Sequence, residues 1–317
     1  MSDIDNEGQV AGRRPSLVER AAQALSNQAG DAASTTPARK QPSKPMAAPR
    51  MPALPKIDEA VEAEAQKAGK FVHLNLDALT ARHVLTPRGE RSRMAEEYRS
   101  IKRPLLQYAR ASFKKPELKG NLIMVTSAIP GEGKTFTTVN LAMSIAKERD
   151  LNVLLIDADL SRPSLASRLG IEESLGLTDL LEDPSLDVSQ VLQRTNIRNL
   201  SLITAGRPHT MGTELLASRR AETVINELAR RYPDRIILFD TSPIQATNEG
   251  GALASEVGQV ILIVEAERTT EMEIKGALEM LSVCPNVMLL LNKTKTRFGR
   301  YYGTYYGTYY GQDAEQA

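Results

Sequence analysis

Residues 122–135 read Leu122-Ile-Met-Val-Thr-Ser-Ala-Ile-Pro-Gly-Glu-Gly-Lys-Thr135, and this stretch decides the fold class. Its first five residues are apolar or β-branched and predict a buried strand, while the stretch from Thr135 to Lys147 has helical spacing. The glycines between them let backbone N–H groups turn inward, and the helix N-terminus adds the positive end of its dipole. This order of strand, turn and helix predicts a loop that holds nucleotide phosphates.

Individual side chains of this phosphate loop suit that role. Lys134 would reach the terminal phosphates of a nucleotide, and the Thr135 hydroxyl would coordinate magnesium. Ala128 stands where the strict pattern G-x-x-x-x-G-K-[ST] has its first glycine, so the loop is a variant. The residues predicted to bind the nucleotide here are Pro130, Gly131, Glu132, Gly133, Lys134, Thr135 and Phe136. The side chain of Glu132 is expected to point to solvent.

Apolar runs suited to buried strands recur along the chain and alternate with helical stretches. The predicted strands are 122–126, 153–156, 200–204, 236–239, 260–264 and 287–291, and the predicted helices between them include 135–147, 214–231 and 270–281. This alternation predicts an α/β fold with a doubly wound, mostly parallel sheet and helices on both faces. A ligand site is expected at the carboxyl ends of the strands.

Two of these strands end in carboxylates. Asp157 and Asp159 follow the apolar run that begins at Val153, and Asp240 follows the run that begins at Ile236. A carboxylate at such a strand end can hold magnesium directly or through water, because Mg²⁺ takes oxygen ligands and keeps several waters. A solvated acidic turn or a helix cap is the alternative for each aspartate taken alone.

The composition limits the cellular setting. The formal net charge of the 317 residues is +1, so no overall field draws the chain to nucleic acid or to a membrane. The one cysteine, Cys284, fits a reducing cytoplasm and is expected to be a buried packing residue. No apolar run approaches the roughly 18 residues of a membrane span. A cytoplasmic protein is therefore expected, with membrane contact through a partner only.

The two ends of the chain differ from the predicted domain. Residues 1–70 are rich in Ala, Ser, Gln and Pro and are predicted to be disordered, except for a short amphipathic helix after Pro15 that would dock a partner or fray. Residues 296–317 form a tail that is predicted to be flexible. It carries six of the nine tyrosines, in three Tyr-Tyr-Gly copies: Tyr301, Tyr302, Tyr305, Tyr306, Tyr309 and Tyr310.

A phosphate site and a cluster of phenol acceptors on one chain indicate phosphate transfer to the tail. With these motifs the chain resembles the bacterial tyrosine kinases of exopolysaccharide assembly, and in particular the exosortase-associated tyrosine autokinases. The resemblance covers about residues 70–311. It implies a septum-site or partition ATPase-like fold and a protein-tyrosine autokinase, dependent on ATP and Mg²⁺, that regulates exopolysaccharide polymerisation or export. An aromatic segment that stacks on nucleic acid is the alternative for the tail.

The resemblance also assigns roles to residues. Asp157 would be the base toward the tyrosine hydroxyl, and Asp159 would support magnesium together with Asp240. Arg162 stands one position after the family's arginine and would contact phosphate. Asn292 would lie near the adenine ring, as an asparagine does in related ATPases.

The family's oligomerisation motif, E-x2-R-x2-R, appears as Glu96, Arg99 and Lys102, with lysine in the last position. Spacing of three puts these charges in one stripe of a helix, which suits a neighbouring subunit, although an ordinary solvated face is the alternative. The motif lies in a predicted helical oligomerisation segment, 71–118, ahead of a kinase domain, 119–295. Pro104 disfavours helical geometry at the residue before it, so the helix is expected to break there.

The implied assembly is a ring-like homo-oligomer. About ten residues separate Leu291 from Tyr301. At roughly 3.5 Å per residue, the first two Tyr-Tyr pairs would have a reach of some 30 to 50 Å, enough to meet an adjacent subunit. Phosphorylation in trans is therefore expected. The implied partners are a separate membrane adaptor of the polysaccharide co-polymerase type, at the inner membrane, and a cognate tyrosine phosphatase. Nucleic acid is not an expected partner.

Two other functions remain open. The main alternative is a non-kinase ATPase switch of the chromosome-partitioning or septum-site type. Those proteins carry an extra lysine five residues before the loop lysine, where this chain has Ile129, and they lack a terminal tyrosine cluster. The other is a nucleotide-responsive scaffold for polysaccharide machinery in which phosphorylation is incidental.

Overall fold

The structure is a computed structural model that describes residues 71–87, 92–113, 115–207, 209, 211–231, 235–246 and 249–295. The predicted disordered segment, its short helix and the tyrosine tail lie outside these residues. Within the described ranges, no helix combines the length and the apolarity that crossing a membrane requires.

The strands form a single sheet. They are β1 (Phe71–Val72), β2 (Leu122–Ser127), β3 (Asn152–Asp157), β4 (Gln193–Thr195), β5 (Leu200–Ile203), β6 (Arg235–Asp240), β7 (Gln259–Glu265) and β8 (Val287–Asn292). Their order across the sheet is β1-β4-β5-β3-β6-β2-β7-β8. The pair β4 and β5 is antiparallel, and the other neighbouring strands are parallel. The predicted doubly wound, mostly parallel sheet is confirmed, while β1 and β4 were not predicted.

The helices connect these strands. They are α1 (Leu76–Ala81), α2 (Arg93–Ser112), α3 (Lys134–Ala146), α4 (Leu165–Leu169), α5 (Leu177–Glu182), α6 (Val188–Val191), α7 (Gly212–Leu216), α8 (Arg219–Arg231), α9 (Glu249–Ala254) and α10 (Glu271–Met280). A short 3-10 helix spans Pro116–Leu118. The predicted helix over 214–231 is two helices in the structure, α7 and α8.

Two apolar cores lie on the two faces of the sheet, because successive side chains of a strand point to opposite faces. Met124 of β2 belongs to the core that includes Val224 and Leu228 of α8. Its neighbour Ile123 belongs to the other core, with Leu141 of α3. Helices therefore cover both faces, and the carboxyl edge of the sheet stays open to a ligand.

Helix α2 continues through Pro104, so the predicted break is wrong. The residues Leu105 and Ala109 that follow the proline are buried in the same core as α3. Gln259 Nε2 also donates a hydrogen bond to the Leu105 carbonyl at 3.2 Å. The packing of these residues holds the turns after Pro104 in helical geometry. It offsets the free-energy cost of the backbone hydrogen bond that proline removes.

Candidate active site

The phosphate loop lies between β2 and α3, as predicted. Gly131 and Gly133 have φ angles of 88° and 95°, which residues with a Cβ rarely adopt. A Cβ on Gly133 would also come within 2.4 Å of Asn292 Nδ2. Helix α3 begins at Lys134, directly after this turn. The loop therefore has the glycine conformation and the helix N-terminus that phosphate binding needs.

Glu132 braces the loop from inside. Its side chain is 0% exposed, and its Oε2 accepts a hydrogen bond from the Ile129 N–H at 2.8 Å. Its Oε1 accepts from the Glu265 N–H at 3.1 Å and from the Thr269 hydroxyl. The prediction that Glu132 points to solvent is wrong, because donors at the end of β7 and in the loop itself satisfy the buried carboxylate.

The end of β8, the strand next to β7, also contacts the phosphate loop. Asn292 Nδ2 donates to the Glu132 carbonyl at 2.8 Å, and Lys293 Nζ donates to the Gly131 carbonyl at 2.7 Å. Lys293 also pairs with Glu265 at 3.0 Å. The structure thus places Asn292 against the phosphate loop, and its role near an adenine ring stays a prediction.

Asp157 lies at the carboxyl end of β3 and is 1% exposed. Its Oδ2 accepts from the backbone N–H groups of Ser164 and Leu165 at 3.1 and 3.0 Å. Its Oδ1 accepts from the Asp159 N–H at 3.1 Å. These bonds fold the segment 158–165 around the Asp157 carboxyl group and present Asp159 at the surface of the site.

Asp240 is the neighbour of Asp157 across β3 and β6 and is 0% exposed. Its Oδ1 accepts from the Thr138 hydroxyl at 3.0 Å. Its Oδ2 is buried and has no hydrogen-bond donor in the part of the chain that the structure describes. A buried acceptor left in this way costs about 1–3 kcal/mol, and more when it is charged. This oxygen therefore suits a cation or the water that a cation holds, which fits the predicted magnesium site.

The two neighbouring carboxyl groups have raised pKa values. Burial, followed by the charge of Asp240, raises the pKa of Asp157 to about 8. Burial also raises the pKa of Asp240 to about 6, although the nearby hydroxyl groups of Thr135 and Thr138 and the charge of Lys134 oppose the shift. Two adjacent buried carboxylates are costly to ionise together, so a bound cation would favour the ionised form of both.

A cavity of about 890 Å³ opens over the phosphate loop. The predicted site residues that line it are Pro130, Gly131, Gly133, Lys134, Thr135, Phe136, Asp159 and Arg162. Asp157, Asp240 and Asn292 lie around it without lining it. The Thr135 and Ser164 hydroxyl groups are 2.8 Å apart at its wall.

Sequence reasoning missed two arginines of this cavity, Arg82 and Arg168. Arg82 follows α1, a part of the chain to which only an assembly role was assigned, and Arg168 lies in the short α4. No motif marks either residue. The one available signal was the position of Arg168 soon after the aspartate motif of β3.

The three residues of the predicted oligomerisation motif do not share one face of α2 in the structure. Arg99 Nη1 donates to both carboxylate oxygens of Glu96, at 2.8 and 2.7 Å, on the exposed face of α2. Lys102 is 7% exposed, donates to the Ser144 carbonyl at 2.7 Å and pairs with Glu148 at 2.6 Å. The prediction of one stripe of three charges is wrong, because Lys102 faces α3 and places its charge at the C-terminal end of that helix.

Comparison with known proteins identifies the family of the nucleotide-binding domain and then the class of enzyme. The family model described as the CobQ/CobB/MinD/ParA nucleotide binding domain matches residues 123–297, and the chain belongs to this family. Tyrosine-protein kinase YwqD of Bacillus subtilis is 31% identical over 208 residues, which cover 66% of this chain and 84% of YwqD. Together with the site, this places the chain among the bacterial tyrosine kinases. The non-kinase ATPase alternative is correspondingly less supported.

Solved structures agree with this assignment. The BceF tyrosine kinase domain is 28% identical with a TM-score of 0.54, and the match covers 73% of this chain and 87% of that domain. The kinase domain of the Escherichia coli tyrosine kinase ETK is 25% identical with a TM-score of 0.52, over 64% of this chain and 78% of that one. Membership of the exosortase-associated subgroup stays a prediction.

Proposed function

We propose that this kinase transfers the terminal phosphoryl group of ATP to tyrosines of its own C-terminal tail and thereby regulates exopolysaccharide polymerisation or export. The observation that carries the proposal is that β8, the last described strand before the tail, ends at the phosphate loop. Strand β8 ends at Asn292, whose side chain contacts the phosphate loop at 2.8 Å. Tyr301 follows nine residues later, so the phenol acceptors begin a short tether away from the phosphate site.

The proposed transfer forms a bond between a phenol oxygen of the tail and the terminal phosphorus of ATP. The bond from that phosphorus to its bridging oxygen breaks, and ADP leaves. We assign the phenol proton to Asp157, which the positive charge of a bound cation would keep ionised and therefore able to accept a proton. Because Asp157 is 1% exposed, the segment 158–165 has to open for a tyrosine to reach it.

We assign the nucleotide and magnesium to the residues around the cavity. The loop N–H groups and Lys134 would hold the phosphates of ATP, and Arg162 would add a contact to phosphate. Thr135, Asp159 and Asp240 would hold Mg²⁺, in agreement with the buried Oδ2 of Asp240 that has no donor in the described ranges. When bound, Mg²⁺ supplies positive charge that neutralises the phosphate oxygens.

We further propose that the tail acts on a neighbouring subunit of a ring-like homo-oligomer, with Glu96 and Arg99 of α2 on the exposed face that a neighbour would meet. Each phosphotyrosine adds about −1.5 to −2 charges, so full phosphorylation is expected to loosen the ring. A membrane adaptor of the polysaccharide co-polymerase type and a cognate phosphatase are the proposed partners at the inner membrane. This part of the proposal is supported by the family resemblance.

Incubation of the purified full-length protein with labelled ATP and Mg²⁺ tests the proposed reaction. Wild type should become labelled, while Lys134→Ala and a form truncated after Lys295 should not. Equal labelling of the truncated form would refute the tail as acceptor. ATP hydrolysis without label on any form would favour the non-kinase ATPase instead.

A further inference from the structure

The cavity over the phosphate loop is lined by more arginines than the proposed nucleotide contacts use. Arg82, Arg162 and Arg168 line it together with Lys134, and Asp159 is the one acidic lining residue within the described ranges. In the same ranges, no carboxylate within 4.0 Å pairs with any of the three arginines. Lys134 and magnesium serve the nucleotide phosphates in the proposed function, so Arg82 and Arg168 have no assigned anion.

Neighbouring groups hold both of these arginines in place. Arg82 Nη1 donates to the carbonyl oxygens of Ser167 and Arg168 at 3.1 and 3.3 Å. The Arg168 guanidinium lies 5.6 Å from the centroid of the Phe136 ring, within the range of a cation–π contact. Phe136 directly follows Thr135 of the phosphate loop. The two guanidinium groups are therefore positioned beside the loop before any ligand arrives, and each can still offer N–H donors to an anion.

Phosphorylation of the tail would create negative charge that repels the nucleotide phosphates, and these arginines could neutralise it. Its acceptors are adjacent pairs, so after one transfer the remaining phenol of a pair sits next to a phosphotyrosine. Neighbouring Cα atoms are 3.80 Å apart, and the new group carries about −1.5 to −2 charges. The second transfer would bring that group close to the nucleotide phosphates. Without nearby cations, like-charge repulsion would disfavour it.

We propose that Arg82 and Arg168 form a phosphotyrosine subsite, which holds the modified member of a Tyr-Tyr pair while the other member receives its phosphate. This inference rests on the proposed autokinase function and adds a specificity to it. Charge-assisted bonds from guanidinium to phosphate are short, strong and often bidentate, so the subsite makes doubly phosphorylated pairs accessible. Both tyrosines of a pair should then be phosphorylated before the next pair, and phosphorylation should not stop at one phosphate in each pair.

The test follows phosphates on the tail of the full-length protein over time by mass spectrometry, after complete dephosphorylation. Wild type should modify both tyrosines of a pair. In the Arg82→Gln, Arg168→Gln double variant the first phosphate of a pair should appear at the wild-type rate within about twofold. The second should slow at least roughly ten- to hundredfold, because the loss of even one charge-assisted hydrogen bond has an effect of that size. Arg168→Lys, which keeps the charge without the planar fork, should lie between the two.

Arg198→Gln is the matched control, because Arg198 is exposed and lies between β4 and β5, outside the cavity. It should leave both rates unchanged. The subsite is refuted if the double variant fills both tyrosines of a pair at the wild-type rate. It is also refuted if the first phosphate slows as much as the second with a raised KM for ATP, which would assign the arginines to the nucleotide. Wild type with no tail phosphate at all would instead overturn the proposed autokinase function.

Discussion

Two fully buried carboxylates, Glu132 within the phosphate loop and Asp240 at the end of β6 beside it, use their oxygens differently. Both oxygens of Glu132 accept hydrogen bonds, from Ile129 on one side and from Glu265 and Thr269 on the other. Asp240 uses Oδ1 with Thr138, while its Oδ2 has no donor among the described residues. A buried carboxylate with all its partners braces the fold, whereas one with an open position is suited to a ligand.

Replacement of Asp240 should give the largest effect on function. Asp240→Asn should lower the rate of tail phosphorylation by roughly 10²–10³-fold, the range seen when one electrostatic group of an active site is removed. Its melting temperature without nucleotide should stay level or rise, because a buried charge is removed. Parallel measurement of initial phosphorylation rate and of thermal unfolding would check both expectations. A large loss of stability would make Asp240 a brace like Glu132 and would break the comparison.

Glu132→Gln should show the opposite pattern, with a larger loss of stability than of catalytic activity. The amide keeps the size of the side chain but presents N–H groups to a donor of the loop or of β7, so unfolding free energy should fall by about 1–3 kcal/mol. Urea unfolding of the variant, compared with wild type and Asp240→Asn, gives the value. If Glu132→Gln were as stable as wild type and catalytically dead, Glu132 would belong to the chemistry.

The neighbouring carboxyl groups of Asp157 and Asp240, here called the acid cluster, predict how the stability of the fold depends on pH in the absence of nucleotide and Mg²⁺. The pKa of Asp157 is about 8 in the folded protein and 3.8 in the unfolded reference, so the folded state binds more protons between these values. Stability should therefore be greatest below about pH 4 as far as this group contributes, and it should fall as the pH rises toward 8. The loss between pH 5 and 8 should be up to about 4 kcal/mol, since each pH unit between the two pKa values corresponds to about 1.36 kcal/mol.

Urea unfolding at several pH values would measure this loss, with Asp157→Asn as the matched variant. The variant should have a flatter profile, and added Mg²⁺ with a nucleotide should flatten the wild-type profile as well. An identical slope in wild type and Asp157→Asn would contradict the assignment of the pH dependence to this cluster.

Lys102 and Arg99 give a second comparison, between a buried and an exposed charge of helix α2, with smaller effects. Lys102→Ala should cost about 1–2 kcal/mol, because it removes the charge and the hydrogen bond at the C-terminal end of α3. Arg99→Ala should cost less than about 0.5 kcal/mol, since its pair with Glu96 is exposed. Chemical unfolding distinguishes the two. Size measurement at the same time shows whether Arg99 affects assembly, which Lys102 should affect only through stability.

The strands with continuous apolar runs could be predicted from the sequence, because β2, β3, β6 and β7 are buried on both faces. The phosphate loop and the aspartates at strand ends were predictable for a related reason: local patterns place them at the carboxyl edge of the sheet. Strands β1 and β4, of two and three residues, carry no such pattern. Their pairing depends on neighbours that are distant along the chain.

Other features depended on partners that no local spacing reveals. Glu132 is buried because donors 133 and 137 residues away meet it, and Lys102 because the end of α3 lies 42 residues along the chain. Pro104 is tolerated within α2 because the residues after it are packed. Arg82 reaches the cavity because the segment before α2 folds against α4, which no motif in that segment indicates.

Site-resolved mass spectrometry of the tail after incubation of full-length protein with ATP and Mg²⁺ tests the central claim most directly. Phosphate should be found on the tyrosines of the three Tyr-Tyr-Gly copies in wild type and should be absent in Lys134→Ala. Unmodified tail tyrosines in a preparation that consumes ATP would contradict the account.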